Sequence, residues 1–509
     1  MRTSEEYQKA LYEMKPNIFI GDEQVGRDDP RITGGMNIIK ETFDKAWDPE
    51  YEDICTATSH LTGNKINRFC HIHQNVEDLL KKQNMTRQLC HRVGGCIQRC
   101  MGIDALNALS VITYELDEAL GTDHYKRFKE YMKFFQQNDL VASCAQTDPK
   151  GDRLKRPHEQ QDPDQYLRVV ETNEDGIVVR GAKVNITNTP YADEIIVVPC
   201  RYMGPEDKDY AVAFALPADW EGVKLIGRPA WFAKREKYDA PISRFGDVET
   251  MIIFDDVFVP NERIFLNGHI DPRQTAYAGF LALMFAHFHR HSYTGCKPAV
   301  SEILASAGAL VAEYNGIEKE SHVRDKLSHI IGTAELVFAS GESSAYHSEK
   351  APSGTQVPDE ILTNAGRRLA GEMIYEEFKI ISDLSGGIIA TLPYEGSFTN
   401  KGIGTLAMKY LKRNPNFTLE DAYKCIKGIE DLIVSDMAGV VQVAGLHGGG
   451  SPQMETITMM SRYNLEELKN ISKYLFGIQE NLSRYERPTV TPREQLKKFR
   501  QAMQSKRNS

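Results

Sequence analysis

Two stretches of the chain carry residue types that bind metals. Cys96 and Cys100 lie four apart in "GGCIQRC", and "HFHRHSYTGCKP" sets His289 and Cys296 seven apart, with Tyr293 between them and Lys297 following. If the first stretch is helical, positions i and i+4 share a face and the two thiols stand about 6 Å apart. His289 and Cys296 lie two helical turns apart, again nearly on one face. Three thiolates and an imidazole form a ligand set for an iron–sulfur cluster. They equally form a closed tetrahedral zinc site. Free cysteines are also among the most buried residue types, so thiols at such spacings often do no more than pack. Spacing alone leaves all three readings open.

The elements that must position these residues fall into three blocks. Up to about residue 140 apolar residues recur at spacings of three and four, as in "VEDLLKKQNMTRQLCHRVGGCIQRCMGIDALNAL", which predicts helices and puts Cys96 and Cys100 on one of them. From Leu140 to about Leu266 short β-branched runs such as "GIVVRGAKVNI" and "EIIVVPC" alternate with turns such as "TNEDG", which predicts a mostly antiparallel β domain. After Thr275 long amphipathic helices return. The division is 1–140 helical, 141–272 β and 273–509 helical. The tail 492–509, "PREQLKKFRQAMQSKRNS", reads as a basic helix or a disordered end.

Composition narrows the function. A 509-residue chain that is 41% hydrophobic and 26% charged has ample material for a large core. A formal net charge of -10 argues against a general nucleic-acid binder, which needs clustered Lys and Arg. The opening "MRTSEEYQKALYEMK" has no apolar segment of the signal-peptide type, and no run approaches the roughly 18 apolar residues of a spanning helix. A cytoplasmic protein without a membrane partner is expected. Nine cysteines, an odd number spread over a long chain, argue for free thiols or ligands over a disulfide framework.

Several motifs, in order along the chain, carry a family resemblance: "MRTSEEYQKAL", "CAQTDPKGDR", "DGIVVRGAK", "FDDVFVPNERIF", "HRHSYTGCKP", "DLSGG" and "HGGGSPQ". Together they resemble the 4-hydroxybutyryl-CoA dehydratases, within the larger group that includes the flavin-dependent 4-hydroxyphenylacetate monooxygenases. The resemblance implies an α+β fold of the acyl-CoA dehydrogenase type: an N-terminal helical domain, a middle antiparallel β domain and a C-terminal helical bundle. It implies a [4Fe–4S] cluster on Cys96, Cys100, His289 and Cys296, with the remaining cysteines left as packing or surface residues. It also implies FAD against "AQTDPKGDR" and "NITNT", which carries Gln146, Thr147, Asp148, Lys150 and Thr187 over as flavin contacts. No G-x-G-x-x-G fingerprint is present, in keeping with a fold that binds FAD by another route.

The implied reaction is the radical dehydration of 4-hydroxybutyryl-CoA to crotonyl-CoA, with vinylacetyl-CoA isomerisation on the same site, in a homotetramer. Its difficulty is the C3 proton, which no carbonyl acidifies directly. The residues carried over for catalysis are His289 as the first base, Tyr293 and Lys297 along its face, Gln98 between the cysteines, and Glu249 placed just before the strand "TMIIFDD". Gln98 faces away on an ideal helix, so a role in the site needs a local distortion or an end-on approach. The family's late carboxylate has no counterpart just before His447; the next acid is Glu455. The rival readings are a flavin monooxygenase of the same fold and a redox-sensing or zinc-stabilised binding protein that uses the same four residues without turnover.

Overall fold

The computed structural model describes residues 1–232, 235, 237–491, 494–499 and 501. Helices and sheets are segregated along the chain much as their periodicities require. The helix Val76–Val93 starts at Asn75, whose side chain accepts the Asp78 N–H, and stops at Gly94, where φ of 74° is a conformation that glycine adopts without strain. The helix Cys100–Leu120 follows, then His124–Gln137.

Two sheets fill the middle. A six-stranded sheet runs in the order Glu23–Val25, Ile18–Ile20, Val223–Trp231, Gly246–Pro260, Gly176–Thr187, Arg168–Thr172. A four-stranded sheet runs Ile264–Asn267, Val212–Pro217, Glu194–Val197, Ala142–Ala145. Their inner faces share one core, in which Ile177, Val179, Ile252 and Phe254 of the larger sheet meet Ile195, Val197 and Phe214 of the smaller. Along Gly246–Pro260 buried and more exposed residues alternate over much of the length, the period-2 signature of a strand with one face in the core. The first block is not purely helical. Ile18–Ile20 pairs in parallel with Val223–Trp231 and carries Glu23–Val25 at the sheet edge. Three-residue strands leave almost no trace in a periodicity read over a long window, and the turn between them rests on Gly21 at φ of 65°.

The C-terminal part is built on one helix, Thr275–Asn315, of 41 residues. It packs on Val76–Val93 and Cys100–Leu120 on one side and on Ser321–Tyr346 and Glu360–Ser385 on the other. Encirclement explains why residues are buried on every face of it, as in the unbroken run from Met284 to Ser292. In the tail, residues 494–499 are helical, Leu496 is buried, and Phe499 packs on Tyr277 and Phe280 of the long helix; 492, 493, 500 and 502–509 lie outside the described residues. No helix among the described residues is long and apolar enough to cross a membrane.

Candidate active site

Cys96 and Cys100 do not ride one helix, contrary to the periodicity reading. Gly94 and Gly95 end the Val76–Val93 helix, Cys96 sits in the connecting loop, and Cys100 is the first residue of the next helix. Gln98 supplies the distortion that the loop requires, at φ of 59°. It is fully buried and spent on the scaffold. Its side-chain Nε2 donates to the Gly246 carbonyl at 3.1 Å, its backbone carbonyl accepts Asn188 Nδ2 at 2.8 Å, and its Oε1 accepts the Tyr191 hydroxyl. Its own N–H donates to Cys96 Sγ at 3.3 Å. The turn thereby folds the loop back so that the two thiols hydrogen-bond. That bond pulls Cys96 below the usual thiol value, and the same bond, with burial, pushes Cys100 well above it.

The long helix supplies the other half. His289 Nδ1 lies 4.0 Å from Cys100 Sγ and 2.9 Å from Asp104 Oδ2. Its ring stacks on Phe285 and meets the edge of Tyr293, with centroids 5.6 and 5.3 Å apart. Cys296 is buried two turns on, and the buried Cys90 thiol hydrogen-bonds to it. Burial pushes the Tyr293 phenol well above its ordinary value; Arg367 opposes this, and Cys296, Cys96 and Cys100 reinforce it, so all three thiols act on one phenol. The structure therefore brings together the four residues whose spacing left their role open. Three thiols and an imidazole in one buried place are a donor set that fits a metal–sulfur group.

Other groups of the site are committed to partners that no local sequence pattern names. The Lys297 ammonium is buried in an ion pair with Glu377 of the helix Glu360–Ser385, and Ser301 bonds to both, at 3.2 Å from Nζ and 2.8 Å from Glu377 Oε1. Burial pushes Lys297 below its usual value against the pull of Glu377. Glu249 lies inside the strand Gly246–Pro260 and not ahead of it, opposite Thr187, whose hydroxyl donates to Glu249 Oε1 at 2.7 Å. It hydrogen-bonds to Asp247, and both carboxyls are raised, first by burial; for Asp247 the charge of Glu249 comes next. Two neighbouring buried carboxyls cannot both ionise cheaply, so each makes the other harder to ionise.

Near the start of the β region, Gln146 Nε2 donates to the Ala282 carbonyl of the long helix at 3.0 Å. The Thr147 carbonyl accepts the Val184 N–H at 2.8 Å. Asp148 is buried in an ion pair with Lys183 at 2.9 Å and accepts the Leu167 N–H, so its carboxylate faces the protein. Lys150 is half-buried at φ of 75°.

The late glycines close on the same centre. Gly448 has so little room that a Cβ would stand 1.7 Å from the Tyr293 hydroxyl, and one on Gly449 would stand 3.3 Å from His289 Cδ2. Arg290 Nε holds the Gly449 carbonyl at 3.0 Å, and Arg367, stacked 4.4 Å over the Tyr293 ring, holds that of Gly448. Glu455 is buried 3.6 Å from Arg367, and burial raises its carboxyl. Asp104, Asp247, Arg367 and Glu377 went unrecognised in the sequence. Only Asp104 left a signal, since it stands four residues after Cys100 on one helix and hence on the same face.

A buried thiol–imidazole centre held between a two-sheet body and a bundle around one long helix defines the class of protein. The chain belongs to the 4-hydroxyphenylacetate 3-hydroxylase family, whose N-terminal pattern matches residues 3–266 and whose C-terminal pattern matches residues 278–477. It is 36% identical to the 4-hydroxybutyryl-CoA dehydratase/vinylacetyl-CoA-Δ-isomerase of Clostridium aminobutyricum, over 94% of this chain and 100% of that one. It is 29% identical to the 4-hydroxyphenylacetate 3-monooxygenase oxygenase component of Thermus thermophilus, over 81% and 84%. Among solved structures, an oxygen-tolerant archaeal 4-hydroxybutyryl-CoA dehydratase from N. maritimus superposes with a TM-score of 0.89 at 35% identity, over 96% of this chain and 97% of that one. The oxygenase component of a 4-hydroxyphenylacetate 3-monooxygenase, in complex with FAD and 4-hydroxyphenylacetate, superposes with a TM-score of 0.82 at 26% identity, over 94% and 99%.

Proposed function

We propose that this protein is a 4-hydroxybutyryl-CoA dehydratase with vinylacetyl-CoA Δ-isomerase activity, working by a radical route with FAD and a [4Fe–4S] cluster. The observation that carries the reading is the convergence of Cys96, Cys100 and His289 with Cys296 around Tyr293, since a monooxygenase has no use for such a set. When bound, the cluster on these four residues supplies a Lewis-acidic iron and FAD supplies a one-electron acceptor.

The chain's own residues do the rest. As a base His289 would use Nε2, because Nδ1 is engaged with Asp104; a bound iron would use the same lone pair, so the ring would leave the iron before taking the C2 proton. The Tyr293 hydroxyl, kept neutral by burial, donates to the Ala444 carbonyl at 2.7 Å; released from that partner, it would offer its hydrogen to the thioester carbonyl or the departing hydroxyl. Glu249 and Asp247 set two carboxyls, both raised by burial, on the sheet side, where Thr187 connects them to the flavin segment. Lys297, locked to Glu377, sets a fixed positive charge beside Cys296. Burial of His289, Asp104, Asp247 and Lys297 limits the access of water to the reacting carbons.

The flavin contacts are Gln146, Thr147, Asp148, Lys150 and Thr187, in an acyl-CoA dehydrogenase-like arrangement of domains 1–140, 141–272 and 273–509. Assembly as a cytoplasmic homotetramer accounts for large apolar side chains left on the surface, among them Leu336, Tyr346, Leu475 and Phe476, at 64 to 74% exposure. A visible spectrum with iron and flavin analysis of anaerobically purified protein tests the reading. Both flavin bands and about four irons per subunit are expected; flavin without iron favours the monooxygenase.

A further inference from the structure

We propose that Asp104 is a positioning residue that fixes which nitrogen of His289 is free for chemistry. The inference rests on the reading of His289 as ligand and base, and adds to it the residue that makes the ring usable. Asp104 stands one turn after Cys100, with its side chain fully buried. Its Oδ2 lies 2.9 Å from His289 Nδ1; its Oδ1 lies 2.6 Å from Lys82 Nζ; Ser292 Oγ donates to both oxygens at 3.1 and 2.9 Å. Lys82 is buried as well and also donates to the Phe288 carbonyl at 3.0 Å, which ties the pair to the helix turn that carries His289.

Hydrogen-bond inventory decides the tautomer. An ionised carboxylate only accepts, so each of its partners must donate, and Nδ1 must carry the imidazole proton. Lys82 Nζ, buried 2.6 Å from Oδ1, supplies the countercharge to that carboxylate. In the neutral ring this leaves Nε2 with the lone pair, and the ring plane is set by Phe285, stacked at 9°. An oxygen of Asp104, a nitrogen of His289 and Cys100 Sγ lie within 4.8 Å of one another, close enough for a metal site of their own. The carboxylate's acceptor positions are already taken by Lys82, Ser292 and His289, so it acts through the imidazole and not as a ligand.

Asp104→Asn tests this almost isosterically. The amide has one acceptor oxygen, and Lys82, which can only donate, claims it. The amide NH2 then faces Nδ1, and the ring is driven to carry its proton on Nε2, the nitrogen that iron needs. The purified holoenzyme and this variant are reduced, with histidine carrying 15N at Nε2 only, and examined by electron–nuclear double resonance alongside iron analysis under a chelator. The wild type is expected to show a strongly coupled 15N. The variant is expected to lose that coupling and to release iron about 10–100-fold more readily, the usual cost of removing the partner of a ligating histidine. Asp104→Glu, which keeps the carboxylate, should restore part of the coupling. A variant with wild-type coupling and iron retention overturns the proposal. So does a wild type whose cluster couples to Nδ1, a result that needs no variant to fold. Wild-type protein that holds no iron overturns the functional reading and this inference with it, whereas iron with an unaffected Asp104→Asn sinks the inference alone.

Discussion

The Thr187 hydroxyl donates to Glu249 Oε1 at 2.7 Å across two paired strands, joining a residue proposed as a flavin contact to one proposed for catalysis. Glu249 in turn lies beside Asp247, whose Oδ1 is 2.8 Å from the Tyr191 hydroxyl oxygen, and burial raises both carboxyls.

The sheet-side pair should give the protein a pH signature. Both carboxyls are raised in the fold, first by burial, so the native state binds more protons than the unfolded chain from the ordinary carboxylate range, about 4, upward. What the pair contributes to stability is therefore present below that range and lost as pH rises through the raised values. Asp247→Asn removes much of this, and its denaturation midpoint relative to wild type should rise between pH 5 and pH 8. A constant difference across that interval would show that the pair is fully ionised in the native protein.

The Lys297–Glu377 pair lies in the core, so removing one partner strands a buried charge. Lys297→Met should destabilise by about 3–5 kcal/mol, with Lys297→Met/Glu377→Leu recovering most of that loss in urea unfolding. Activity separates the two jobs of the lysine. A stable double variant with wild-type turnover makes Lys297 structural, while a stable but inactive one places its charge in the reaction.

Cysteine substitutions should divide by location. Cys96→Ala and Cys296→Ala are expected to lose cluster iron and dehydration together. Cys425→Ala, whose thiol is buried among Ile426, Ile429 and neighbours in the C-terminal core, should keep both, at a stability cost of about 1 kcal/mol. Full iron in Cys96→Ala removes it from the ligand set.

His289→Cys separates ligand from base. Thiolate is the commoner cluster ligand, so iron should stay near the wild-type level while dehydration falls about 10²–10⁴-fold with the loss of a positioned base. Exchange of the C2 hydrogen of the acyl-CoA with deuterated solvent, followed by NMR, should fall in parallel. Exchange at the wild-type rate assigns the base elsewhere, with Glu249 and Glu455 the next carboxyls to test.

The sequence by itself determined the succession of helices, strands and helices, because hydrophobic period is a local property that each segment shows on its own. It also determined the pairing of His289 with Cys296, since one helix carries both and seven residues return to nearly the same face. It failed at Cys96. Periodicity ran straight through Gly94 and Gly95, where the helix ends, and the approach of Cys96 to Cys100 comes from a left-handed Gln98 held by Gly246, Asn188 and Tyr191, all from the β region. The same limit hid the partners. Asp247 beside Glu249, Arg367 over Tyr293 and Glu377 on Lys297 are recruited by burial, which obliges each buried charge or polar group to find a mate among whatever the fold brings near. Glu377 is 80 residues from Lys297, and Asp104 is 185 from His289. Chain separation carries no record of such meetings; only the packing of the long helix against its neighbours does.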